Sequence, residues 1–160
     1  MFVPFENLPA TARIWVYPSN RKFSDEEAEK IGTLCRSFLE QWTAHGQGLK
    51  ASFSLPYNQF IVIALDEAQH AASGCSIDAS VHFIQDLERQ FAIVLLDKMN
   101  VTFKQGAYVS YKDLKAFRAM VKNKAVSSNT IVFNNLVATK EEYEQSWELP
   151  ASESWHQRFF

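Results

Sequence analysis

The chain has 160 residues, 47% of them hydrophobic and 14% aromatic, enough for one domain with a sizeable core or a compact domain with an appended lobe. That composition excludes intrinsic disorder, and a formal charge of -2 argues against a nucleic-acid binder, which needs a concentrated basic face. The longest apolar runs, Phe60–Leu65 and Phe91–Leu96, are too short to cross a bilayer as helices, so no membrane insertion is expected.

Met1–Glu6 lacks the basic region and longer apolar stretch of a signal peptide. Two cysteines, Cys35 and Cys75, make no disulfide framework, and no C-x-x-C or His/Cys cluster has zinc spacing. The expectation is a cytoplasmic protein with reduced thiols, without metal or cofactor.

Arg13–Tyr17 is β-branched and aromatic and reads as a strand stopped by Pro18. Ser24 and Glu27 form a capping box. The helix it opens carries Ala28, Ile31, Leu34, Cys35, Phe38, Leu39 and Trp42 within an arc of roughly 140°. Cys35, inside that stripe, reads as a small buried hydrophobe. His45-Gly46-Gln47-Gly48 ends the helix. Ala51, Phe53 and Leu55 alternate with polar residues as in a half-buried strand, Pro56-Tyr57-Asn58 turns the chain, and Phe60–Leu65 returns as a central strand. A second helix is expected from near Ser76, with Ile77, Val81, Ile84, Leu87 and Phe91 on its apolar face. The order so far is β-α-β-β-α. A strand at Ile93–Leu96 or Val101–Phe103 would complete βαββαβ, so the fold class expected is α+β with a ferredoxin-like core. Ile14–Tyr17 should lie beside Phe60–Leu65, with both helices on one face of the sheet.

Residues 98–160 read as a small C-terminal α/β extension packed on the 1–97 core as one structural unit. Lys104-Gln105-Gly106 is a hairpin signal; Leu114, Phe117 and Val121 mark a short helix; Thr130–Phe133 is a strand. Thr139 and Glu142 form a second capping box before Tyr143 and Trp147. Lys112, Lys115, Arg118, Lys122 and Lys124 read as a solvated face. The aromatic end, Trp155–Phe160, is expected to dock on the first lobe or across a homodimer interface, because an exposed apolar cluster is unfavourable.

The segment Ala72–Ser80 carries the most chemistry. A strand that feeds a Ser/Gly turn and then a helix leaves N–H groups at a helix start, where anions bind and thiols ionise more readily. Gly74 permits a left-handed conformation or close backbone approach, Ser73 and Ser76 can each cap, and Asp78 in the first turn would complement the dipole. Ser73, Gly74, Cys75, Ser76 and Asp78 are therefore candidate ligand-binding residues for a small anion. Asp78 and His82 share a helix face, so Cys75, Asp78 and His82 are candidate catalytic residues, with Cys75 as nucleophile. A capped helix start with a solvated polar stripe accounts for the same residues. Glu88 falls in the middle of the apolar arc: either it escapes to solvent as the helix ends or it is a buried acid with a partner, since buried and unpaired it would protonate.

Ala12–Tyr17 with Asn20–Phe23, Ser73–Asp78, Thr130–Asn135 and Ser154–Phe160 resemble stretches of a family of small uncharacterised bacterial proteins, over nearly the full chain. Some members are labelled ABC transporter ATPase. A P-loop needs G-x-x-x-x-G-K-[ST], and none of the five glycines here is followed by Lys, so ATPase activity is not expected. The resemblance implies no activity and no site residues. The functional expectation is a binding or interaction protein using the Ser73–Ser80 turn, with a small anionic ligand or a protein as partner. The alternative is a thiol-dependent enzyme with Cys75 as nucleophile.

Overall fold

Apolar residues at six successive positions suit a strand covered on both faces, and packing both faces of Phe60–Leu65 organises the molecule. A computed structural model describes residues 1–160. The chain runs β1 (Arg13–Pro18), α1 (Asp25–Gln41), β2 (Thr43–Ala44), β3 (Gln47–Gly48), β4 (Lys50–Ser54), β5 (Phe60–Asp66) and α2 (Gly74–Phe91). It continues with β6 (Asn100–Gln105), β7 (Tyr108–Asp113), α3 (Leu114–Lys122), β8 (Ile131–Phe133), α4 (Lys140–Ser146) and β9 (Glu148–Pro150). The fold is mixed α and β, with four helices and three antiparallel sheets ordered β1-β5-β4, β2-β3 and β7-β6-β8-β9.

Strand periodicity divides β5 between two cores. Ile61, Ile63 and Leu65 meet Ile31, Cys35 and Leu39 of α1 and Ile84, Leu87 and Phe91 of α2, so both long helices cover one face. Phe60, Val62 and Ala64 face the other way, onto Phe133, Val137 and Trp147. The second sheet buries its far side against α3, through Val101, Phe103, Val132 and Phe117. Capping boxes start both long helices, Ser24 with Glu27 and Ser73 with Ser76.

The three strands of the first sheet keep the order of a split βαβ unit: β1 pairs with β5, and β5 with β4. The fourth strand of the expected ferredoxin-like core is not there. Ile93–Leu96 is irregular, because the Glu88 carboxylate accepts the Leu95 and Leu96 N–H groups at 2.7 and 3.1 Å. Glu88 thus finds its partner in the donors that a strand would have used. Val101–Phe103 lies in β6, bonded to β7 and β8 of the second sheet. The outer edge of β1 is closed differently. Ile14 N–H donates to Ala138 at 2.9 Å, Arg13 bridges Thr139, and Pro18 has no N–H to offer.

The segment after residue 97 is tied to the start of the chain by main-chain bonds from Lys140 to Ala12 (2.8 Å) and from Glu141 to Ala10 (2.9 Å). The Lys140 ammonium, 7% exposed as a residue, donates to the carbonyls of Phe5 (3.1 Å) and Leu8 (2.7 Å). The aromatic end docks on its own lobe rather than on the first: Phe159 and Phe160 lie edge-on to Phe117 of α3 at 5.6 and 6.2 Å. His156 is buried there, stacked on Trp155 at 3.8 Å, with Nδ1 2.7 Å from the Ser154 hydroxyl. Burial pulls its pKa down to about 4.

Candidate functional site

The start of α2 is built by two serines. Ser73 is the N-cap, and its hydroxyl accepts the Ser76 N–H at 3.1 Å. The Ser76 hydroxyl accepts the Ser73 N–H at 2.7 Å and donates to the Ser73 carbonyl at 2.8 Å. Serine can take the usual Glu position here because it sits close enough to return the bond. The helix therefore begins at Gly74, earlier than the apolar periodicity implies, and the first turn holds no acid. Asp78 falls beyond it. Gly74 has no left-handed φ, and a Cβ there would meet nothing within 4 Å, so neither conformation nor close approach requires a glycine.

Tertiary packing adds a wall to this helix start. The indole N–H of Trp42, just past the end of α1, donates to the Ser76 carbonyl at 2.8 Å. Phe38 leans on Trp42 with ring centroids 5.6 Å apart. A cleft of about 410 Å³ opens between the end of α1, the β2–β3 hairpin and α2, lined among others by Phe38, Trp42, His45, Ser73, Cys75 and Ser76. The Gly74 and Cys75 N–H groups make no bond within the protein, as expected for donors in a first helical turn.

Cys75 is exposed; Cys35 is buried, and desolvation pushes its thiol up to about 12. Of the expected trio only Cys75 lines the cleft; Asp78 and His82 are exposed along α2 outside it. Arg89 pairs with Asp86 on that solvated side. The imidazole that shares the cleft is His45. It occupies the first position of a two-residue hairpin turn, with φ 51°, followed by Gly46 at φ 78°. Two successive left-handed residues identify a type I′ turn. His45-Gly46 between short strands was the available sequence signal. The flanking strands are only two residues long, too short for alternation to mark them beside the end of α1.

A second cleft, about 540 Å³, lies where Asn20–Lys22 and the β4–β5 turn face the β6–β7 hairpin. Arg21 is spent internally, donating to Glu27 at 2.9 and 2.8 Å and to the Phe91 carbonyl at 2.6 Å. Tyr57 adopts φ 58° so that its ring packs on Phe133 at 5.5 Å while its hydroxyl donates to Glu148. Lys104 pairs with that carboxylate, and burial raises the Tyr57 pKa. Lys22 makes no ion pair.

Nowhere do three His, Cys, Asp or Glu side chains converge as metal ligands, and no helix is long and apolar enough to cross a membrane. No family model, curated protein or solved structure matches the chain.

Proposed function

We propose that the protein binds a small carboxylate or other anion with a flat apolar body in the cleft at the start of α2. The observation that carries this reading is that Cys75, whose N–H makes no bond within the protein, lines one cleft with the Phe38–Trp42 aromatic wall. An anion at the start of an 18-residue helix meets oriented donors and the positive end of the dipole. Ser73 and Ser76 hold the turn in shape, and Trp42 locks the wall to it.

The test is amide and indole chemical-shift titration with phenylacetate and its neutral amide, phenylacetamide. Phenylacetate should move Gly74, Cys75 and the Trp42 indole and bind more tightly than the amide. Equal binding of the two, or shifts elsewhere only, would sink the reading.

A thiol-dependent enzyme is the second reading, favoured by one observation: His45 and Cys75 line the same cleft. There His45 would act as the base that His82 is not placed to be. Alkylation of Cys75 that slows in His45→Gln would support it, and an unchanged rate would remove it. A cytoplasmic location, where the exposed Cys75 stays reduced, suits either reading. On ancestry of the fold, we read β1–α1–β4–β5–α2 as a ferredoxin-like unit whose closing strand is replaced by the Glu88-bound loop and the Ala138–Thr139 bridge.

A further inference from the structure

Three of the four edges of the two larger sheets are managed, and one is not. Along β4, Phe2 pairs with Ala51, with main-chain bonds of 3.0 Å from Ala51 to Met1 and 2.9 Å from Val3 to Ala51. The outer side of β1 is closed by Ala138–Thr139 and Pro18, as described above. The edge strand β9 is three residues long. β7 runs for six residues, pairs with β6 on one side only, and contains no proline. Long open edges recruit other strands, which is why proteins usually cover or shorten them.

The register fixes which main-chain groups are open. Gly106–Ala107 is a two-residue turn, so Gln105 and Tyr108 are the closing hydrogen-bonded pair. Tyr108, Ser110 and Lys112 then direct their main-chain groups at β6, and Val109 and Tyr111 direct theirs outward. No other segment of the chain pairs with them.

The surroundings are basic on both sides. From Tyr108 to Lys124 the chain carries Lys112, Lys115, Arg118, Lys122 and Lys124 against the single acid Asp113, in a protein of net charge -2. All five cations are exposed and none forms an ion pair. Lys112 lies on β7 itself, Lys115, Arg118 and Lys122 lie on α3, which packs against the same sheet through Phe117, and Lys22 lines the larger cleft with Val109 and Tyr111. Tyr108, 76% exposed, stands at the mouth.

We propose that β7 is a docking edge for an extended acidic peptide segment of a partner protein, which adds as a strand along Val109–Tyr111. Its main chain pairs with the open N–H and C=O groups, and its alternate side chains fall toward α3 and toward Lys22, where carboxylates meet the free cations. Nucleic acid would use the same charges but has no use for a strand edge; the open main-chain groups favour a peptide.

The experiment is selection from a random peptide display library on the full chain, repeated on Val109→Pro and on the double variant Lys112→Glu, Lys115→Glu. Proline at an outward-facing edge position removes a donor without removing a ladder bond, and thermal melts confirm that the variant folds. Expected are acidic, strand-forming sequences that protect the Val109 and Tyr111 amides from exchange, are lost on Val109→Pro, and weaken in the charge-reversed variant. Should Val109→Pro fail to fold, amide protection in the wild type and the charge-reversed variant decide. The proposal is overturned if nothing is enriched or if selected peptides bind Val109→Pro equally. It also fails if they lack acidic residues, if single-stranded oligonucleotides displace them from a site insensitive to Val109→Pro, or if the edge is taken by a second copy in a dimer.

Discussion

Replacing Arg21 with Met should destabilise the protein by about 2 kcal/mol, because one side chain joins the start of α1 to the end of α2. Its guanidinium holds Glu27, the acid of the α1 capping box, and the Phe91 carbonyl at the last residue of α2. The ion pair is partly solvated, with Arg21 41% and Glu27 26% exposed as side chains, so it contributes at most about 1 kcal/mol. The charged donor on a helix-terminal carbonyl adds about 1–1.5 kcal/mol, including its interaction with the dipole. For a chain of this length, 2 kcal/mol lowers Tm by about 4–8 °C. Urea melts of wild type, Arg21→Met, Glu27→Gln and the double variant give the coupling directly. The pH dependence supplies a sign. The Arg21 guanidinium, first, and the Ser24 N–H lower the Glu27 pKa to about 2. A depressed acid contributes stability that is present above its unfolded value, about 4.3, and is lost as pH falls toward 2. Arg21→Met should flatten the stability curve in that window. A loss below about 0.5 kcal/mol, or an unchanged acid limb, would refute the clamp.

Ala92 ends α2 with φ 52°, a conformation that suits glycine, so Ala92→Gly should raise stability by about 0.5–1 kcal/mol in chemical denaturation. Lys140→Met strands the Phe5 and Leu8 carbonyls and should cost about 2–3 kcal/mol; a neutral result would show that those carbonyls find water instead. Iodoacetamide should label exposed Cys75 within the folded protein and Cys35 only on unfolding, read by site-resolved mass spectrometry. His156 is a base with a lowered folded pKa, so its neutral form stabilises above about 6.5 and that stability drains as pH falls toward 4. His156→Gln should remove that slope from the pH–stability curve.

Nearest neighbours along the chain decide the features that can be read before any packing is known. The Ser24–Glu27 capping box lies within one turn and formed as written. The apolar run Phe60–Leu65 needs cover on both faces, which makes it central whatever supplies the cover. The serine-built start of α2 was legible for the same local reason, although Ser76 as the returning member moved the helix start back to Gly74. Contacts between distant segments decided the rest. Ile93–Leu96 has strand composition, yet Glu88 captures two of its N–H groups, and a carboxylate already bonded leaves the ladder without donors. Asp78 and His82 share a helix face with Cys75, but a cleft needs a second wall, and α1 with the His45 hairpin supplies it elsewhere. The lysines of α3 look the same in sequence whether they border solvent or an open strand. Only the strand order, which leaves β7 at an edge, sets an unpaired main chain beside them.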